Sequence, residues 1–198
     1  MIERPIIGLD IDGVLADMAG SMVTIYNYKS ICEGAPPFIK NDSYDVSDLV
    51  DYDFTKLIGK ECFIEMVKTM ESKEACSRLP AYNYSKRLYS KLCDIGNVIF
   101  ITKPFSLYKN WYVERNTWIK KNFGVNQDHI IYTSKKHLIN ADILIDDCID
   151  VIKDWVLYTN KPAIKVERPW NKDYKDDNVG IAKNLLEIPE IVVNLLKI

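Results

Sequence analysis

The sequence predicts an α/β protein: a Rossmann-like parallel sheet core flanked by helices, with a helical cap inserted after the first strand. Three observations predict it. Short apolar runs without polar alternation recur along the chain, the pattern of strands buried on both faces. Helical patterns separate these runs, which points to βαβ units and a doubly wound sheet. The chain also leaves the first run near Val14 and does not return until about Gly96, far longer than a simple crossover needs.

The first strand is expected at residues 5–9, a short apolar run that ends in carboxylates. The next is N-V-I-F-I at 97–101, followed by runs at 129–132 and 142–145. A fifth strand is expected at 156–158, with another extended piece at 163–166. Between the second and third strands, residues 108–123 read as a helix. Tyr108, Trp111, Tyr112, Trp118 and Ile119 share one face, and Gly124 sits just past the end. Further helical patterns cover 14–28, 56–70 and 82–93, whereas 30–53 is irregular, with Pro36, Pro37 and six acidic residues. The division expected is a core of 1–15 and 80–198 and a helical cap of 16–79. Ligands of open α/β sheets bind beyond the carboxyl ends of the strands, so the cap is expected to hang over the site.

Composition narrows the function. The 198 residues are 47% apolar, enough for one domain with a sizeable core. Lys plus Arg total 26 against 28 Asp plus Glu, a formal net charge of −2, which argues against binding a nucleic acid polymer through bulk charge. No apolar run approaches the roughly 18 residues of a membrane span, and the N-terminus lacks the pattern of a secretory signal. The five cysteines, Cys32, Cys62, Cys76, Cys93 and Cys148, form no C-x-x-C pair. Reduced thiols in a cytoplasmic protein without a membrane partner are expected.

The strongest local signal is Asp10-Ile11-Asp12-Gly13-Val14. Residues two apart in extended backbone point the same way, so two carboxylates meet at the carboxyl edge of the sheet. They repel unless a cation joins them. A strand-ending turn, where Asp and Gly are common, is the plainer reading of D-x-D-G alone. Asp146-Asp147 shifts the balance, because it also follows an apolar strand, Ile143-Leu144-Ile145. A helix N-cap before 148–155 accounts for Asp147 but not for both acids. Four carboxylates at the ends of two strands suggest a Mg²⁺ site, since Mg²⁺ takes few protein oxygens and leaves room for water and phosphate. Thr102 ends the second strand in F-I-T-K-P, and Lys135 and Lys136 follow the third in I-Y-T-S-K-K.

In this order these residues resemble the four motifs of the haloacid dehalogenase superfamily of phosphatases: Asp10/Asp12, Thr102, Lys136 and Asp146/Asp147. Within it the chain looks like the 5′(3′)-deoxyribonucleotidase family. D-I-D-G-V-L-A-D, T-S-K-K-H-L-I-N-A-D-I-L-I-D-D, the W-I-K-K-N-F-G piece at Trp118 and P-W-N at Pro169 carry that closer resemblance. It is weak inside the cap. Ser134 stands where some members have Arg, and Lys103 follows the motif Thr where a small residue is common.

The resemblance implies a small-molecule phosphomonoester as substrate, a deoxyribonucleoside monophosphate first among the candidates. An oligomer is compatible with the sequence. It implies Asp10 as nucleophile and Asp12 as general acid and base. Thr102 and Lys136 would hold phosphate oxygens, with Lys135 a competitor for the Lys136 role. Asp147 would orient Lys136 or a nearby water. Mg²⁺ would be held by Asp10, the Asp12 carbonyl and Asp146. Tyr26, Phe38, Tyr44, Phe54 and Phe63 are the cap's candidates for stacking on a base. A phosphatase of a sugar phosphate, a Mg²⁺- or phosphate-binding module without turnover, and a D-x-D glycosyltransferase are the rival readings. The early position of D-x-D and the second Asp pair far downstream disfavour the last.

Overall fold

A computed structural model describes residues 4–32, 47, 49 and 51–198. Six strands form one sheet in the order β3-β2-β1-β4-β5-β6: β1 (Ile6–Leu9), β2 (Asn97–Thr102), β3 (Ile130–Tyr132), β4 (Ile143–Asp146), β5 (Ala163–Val166) and β6 (Val179–Ala182). Every pairing is parallel, with Ile7 opposite both Val98 and Ile143. The strand order reverses beside β1, and the crevice that opens there lies at the carboxyl ends of β1 and β4.

Both faces of the sheet are covered, which is why its strands are mostly apolar, with Lys165 of β5 a buried exception. Ile7, Leu9, Phe100, Ile143 and Ile145 join the larger core cluster. The intervening residues Ile101 and Leu144 join a smaller cluster with Ile152 and Trp155 on the other side.

Helix α1 (Met18–Cys32) leaves the first strand's loop, and α2 (Phe54–Ile58) and α3 (Lys60–Ser72) follow. The expected helix 56–70 is therefore two helices, broken at Gly59, whose φ of +79° is open to glycine and costly for other residues. Of the irregular stretch 30–53, residues 33–46, 48 and 50 lie outside the described residues, and with them Phe38 and Tyr44. The chain re-enters the core where it left. Asp17 N donates to Pro80 O at 2.8 Å, and Tyr82 N donates to Leu15 O at 2.8 Å. Helix α4 (Ser85–Ile95) then leads into β2.

Helix α5 (Trp111–Phe123) lies between β2 and β3. Trp111, Trp118 and Ile119 are buried, but Tyr112, expected on the same face, is 50% exposed at its border. The polar atoms of this aromatic face tie down the segment before α4. Trp118 Nε1 donates to Leu79 O at 2.7 Å, and Tyr108 OH donates to Met70 O at 3.1 Å. Truncating a buried aromatic to Ala costs about 3–5 kcal/mol, so α5 is a principal anchor for residues 70–79.

Two expectations need correction. Residues 156–158 are not a strand; they belong to α6 (Ile149–Thr159). The run W-V-L-Y has strand-like composition, but Ile152 and Trp155 are the buried residues while Leu157 and Tyr158 are exposed, a helical spacing. Asn160 ends the helix in the left-handed conformation, its N–H donating to Val156 O. The last strand, β6, was not expected, because V-G-I-A is short and its Gly180 reads as a loop. The chain closes with helix α7 (Ile188–Leu196).

Candidate active site

The carboxyl ends of β1, β2 and β4 open into a cavity of about 360 Å³. Asp10, Asp12, Thr102, Lys136, Asp146 and Asp147, which lie far apart in the sequence, all line it. Lys103 and Ser134 line it as well, and both are exposed.

Lys136 opens a short 3₁₀ turn (Lys136–Leu138) after β3 and is 3% exposed. Its ammonium donates to Asp10 Oδ1 and, at 2.7 Å, to Asp146 Oδ2. Burial by itself would lower the Lys136 pKa, but the Asp10 and Asp146 carboxylates outweigh it and hold the ammonium above the usual lysine range. Lys135, the neighbouring candidate, is exposed and carries no such pair; its backbone N–H donates to Thr133 Oγ1. Thr102 is buried at the end of β2.

The three acids Asp10, Asp146 and Asp147 are each under 10% exposed and offer oxygens within 4.8 Å of one another. Burial raises the Asp10 carboxyl well above its ordinary value; Lys136 opposes this, and Asp146, Asp147 and Asp12 add to it. Burial, then repulsion from Asp146, pushes Asp147 up to about 7. One ammonium cannot neutralise three buried carboxylates, and uncompensated buried charge is costly. Hard oxygen donors with a surplus of negative charge in a cavity fit a divalent cation such as Mg²⁺.

The alternative reading of Asp147 as a helix cap does not hold. Cys148 occupies the N-cap position of α6, and its N–H is taken by Asp146 Oδ1 at 2.9 Å. The Asp147 carboxylate instead accepts from Trp170 Nε1 at 2.9 Å. Gly13 turns the first loop with φ +77°, and a Cβ there would meet Asp147 Oδ2 at 2.3 Å.

Asp10 and Asp12 share the cavity but not their partners. Asp12 Oδ1 accepts from Arg115 Nη2 of α5 at 2.6 Å. Burial raises the Asp12 carboxyl and Arg115 pulls it back. Arg115 is fully buried beside the Trp111 and Trp118 rings. Sequence reasoning missed it. The available signal was a cation in the middle of an apolar helical face, at the spacing of Trp111 and Trp118.

Met18, Met22, Leu49 and Phe54 give the cavity an apolar part of its lining, and Tyr52, which also lines it, donates to Asp150 Oδ2 at 3.2 Å. Of the described aromatics expected to stack on a base, Phe54 lines this cavity, while Phe63 packs against Phe105 at 6.0 Å instead. Tyr26 is half-buried outside the lining. Tyr52 and Trp170 are lining aromatics outside the expected stacking candidates, although Trp170 lies in the P-W-N piece that carries the resemblance.

The family match and the relatives make this chain a phosphatase of the haloacid dehalogenase superfamily, a phosphomonoester hydrolase, with acids, threonine and lysine gathered at the carboxyl edge of its parallel sheet. Residues 4–193 match the model of the family described as 5′ nucleotidase, deoxy (Pyrimidine), cytosolic type C protein. The chain belongs to this family. The 5′(3′)-deoxyribonucleotidase of Clostridium acetobutylicum is 22% identical over 147 residues, 74% of this chain and 74% of that protein. The mitochondrial 5′(3′)-deoxyribonucleotidase of Mus musculus is 25% identical over 149 residues, 72% of this chain and 64% of its own length. Among solved structures, the magnesium-bound HAD-hydrolase YfnB of Bacillus subtilis superposes with a TM-score of 0.60 at 13% identity, covering 96% of this chain and 99% of that one.

Proposed function

We propose that this chain is a Mg²⁺-dependent phosphatase that hydrolyses nucleoside monophosphates, deoxyribonucleotides foremost, through an aspartyl-phosphate on Asp10. The observation that carries the reading is Lys136, buried between Asp10 and Asp146 in a cavity that is also lined by Met18, Met22, Leu49 and Phe54. Such a cavity offers charge for a phosphate and an oily surface for a base. Membership of the nucleotidase family supports it.

In this mechanism an Asp10 oxygen attacks phosphorus in line, forming an Oδ–P bond as the bond from phosphorus to the sugar oxygen breaks. Asp12 delivers a proton to that departing oxygen. The same carboxylate then takes a proton from the water that attacks the phosphoaspartate, which releases phosphate and restores Asp10. Lys136 has three N–H donors, so it can hold Asp10 and Asp146 and still reach a non-transferring phosphoryl oxygen. Thr102 donates to another. Asp10, Asp146 and the Asp12 carbonyl would hold Mg²⁺, with Asp147 beside them, and the ion would supply neutralisation of phosphate charge.

Residues 16–79 act as a lid in this reading. The support is the paired neck at 15–17 and 80–82 and the supply of Met18, Met22, Leu49 and Phe54 to the cavity wall.

The test is phosphate release from a panel of deoxy- and ribonucleoside monophosphates, as 5′ and 3′ esters, beside sugar phosphates, with and without Mg²⁺. Turnover of deoxyribonucleotides that stops with EDTA and returns with Mg²⁺ is expected. Turnover confined to sugar phosphates would overturn the substrate assignment. Mg²⁺ binding without any turnover would make the chain a binding module.

A further inference from the structure

The chain after β5 does more than lead to β6. Its short 3₁₀ turn, Pro169–Asn171, grips the loops that carry Asp147 and Gly13. Asn171 is 1% exposed, and its Nδ2 donates to Asp147 O at 2.8 Å and Val166 O at 2.9 Å. Arg168 N donates to Asn171 Oδ1 at 2.9 Å, and Arg168 Nε donates to Gly13 O at 2.6 Å. From β5, the fully buried Lys165 closes the turn, with Nζ donating to Asn171 O at 2.8 Å and Tyr174 O at 2.9 Å. The turn is thus held from below while Trp170 reaches the cavity and donates to Asp147 Oδ2.

The chemistry of that donor matters. Lys136 gives Asp10 and Asp146 a full positive charge. Among the described residues, Trp170 is the one side chain that donates to the Asp147 carboxylate, and an indole N–H is neutral. It can orient the carboxylate without cancelling its charge. The neighbouring guanidinium of Arg168 is engaged with Gly13 O and stacks 4.2 Å from the Tyr82 ring centroid. Arg168 and Lys136 act on the Asp147 charge from a distance, but the hydrogen bond that orients the carboxylate beside Asp10 and Asp146 is the neutral one from Trp170.

We propose that Trp170 is a positioning residue for the metal: by fixing Asp147 against Asp10 and Asp146, its indole N–H sets the affinity of the site for Mg²⁺. The proposal rests on the Mg²⁺ reading of the site given above. Partners that orient metal-holding groups typically contribute about 10–100-fold in metal affinity or activity.

The test is calorimetric titration of the metal-free protein with Mg²⁺, alongside the Mg²⁺ concentration that gives half-maximal phosphate release. Trp170→Phe keeps the aromatic bulk and removes the N–H. It is expected to weaken Mg²⁺ binding about tenfold or more, with a similar rise in the half-maximal concentration and little change in the melting temperature of the metal-free protein. If Trp170 acts through Asp147, the same change made in an Asp147→Asn background adds almost nothing, because coupled residues are not additive. A Trp170→Phe protein that binds Mg²⁺ as tightly as wild type overturns the proposal. So does an equal loss in both backgrounds, which would mark Trp170 as merely structural. Should the Phe variant not fold, Trp170→Leu carries the same comparison. Wild-type protein that binds no Mg²⁺ would instead overturn the metal reading, and this proposal with it.

Discussion

Arg115 Nη2 lies 2.6 Å from Asp12 Oδ1, joining the middle of helix α5 to the loop after the first strand. The Arg115 side chain is 0% exposed, and its guanidinium carbon stands 4.3 Å from the Trp111 ring centroid and 5.6 Å from that of Trp118. Its Nε and Nη1 are buried without a hydrogen-bond partner among the described residues, and the pair with Asp12 is its main electrostatic compensation there. The guanidinium is trapped by aromatic packing, and Asp12 is trapped by the guanidinium.

Removing that cation should be felt at Asp12. Arg115→Met preserves bulk but leaves the carboxylate unpaired. Breaking a fully buried pair costs about 3–5 kcal/mol; Asp12 keeps 25% exposure, so the loss read from urea unfolding should fall below that range. Turnover should drop at least about tenfold, and KM should change less, because the residue acts through the acid and base group rather than on bound substrate. Arg115→Lys should recover part of the rate. Full activity in Arg115→Met would detach Asp12 from this support.

The two acids of the first motif should separate by degree. Asp10→Asn is nearly isosteric but a poor nucleophile, so phosphate release should vanish while circular dichroism and melting stay near wild type. Asp12→Asn should retain slow turnover, reduced by about 10²–10⁴-fold, the usual contribution of a general acid or base. Residual rates in the reverse order would exchange the roles.

The pH dependence follows from Asp147, whose carboxyl is pushed up to about 7 by burial and by Asp146. In the unfolded chain it titrates near 3.8, so between these values the folded state holds a proton that the unfolded state has lost. The raised pKa therefore stabilises the metal-free protein at low pH, and that stabilisation is lost as pH rises towards 7. The melting temperature of the metal-free protein is expected to fall from pH 5 to pH 8. Mg²⁺ competes with the proton, so its stabilising effect should be larger at pH 8 than at pH 5. Differential scanning calorimetry with and without Mg²⁺ at both pH values checks the sign.

Gly13 should not tolerate a side chain. Its φ of +77° costs an L-residue about 1–2 kcal/mol, and an added Cβ would sit 2.3 Å from Asp147 Oδ2. Gly13→Ala should lower stability by at least that amount and also weaken Mg²⁺ binding, because Asp147 must move. An alanine protein with unchanged Mg²⁺ affinity would show that the loop yields rather than the carboxylate.

Much of this was legible in the chain because it is written locally. Apolar runs ending in acids marked β1 and β4 and placed Asp10 and Asp146 at strand ends, since a strand buried on both faces has no polar residue until it emerges. The length of the excursion between β1 and β2 is what suggests an inserted cap. Errors arose where local composition misled. Residues 156–158 have β-branched and aromatic character yet continue the turn-by-turn burial of Ile152 and Trp155, and β6 is short enough, with a glycine inside, to look like a loop. Strand propensity describes fit to a half-buried surface, and the neighbouring elements supply that surface.

The order of the motifs, the strands that carry them and the class of chemistry were determined by the sequence itself. Partnership was decided only by the tertiary structure. Lys136 rather than Lys135 faces Asp10 and Asp146 because the 3₁₀ turn beginning at Lys136 directs one lysine inwards and leaves the other at the surface. Arg115 meets Asp12 across 103 residues, and Trp170 meets Asp147 across 23. The position of Arg115 on an apolar helical face is visible locally, but nothing local names the partner of either residue. Hydrogen bonds and buried charges are matched by distance in space, and that distance is set when helices and strands pack.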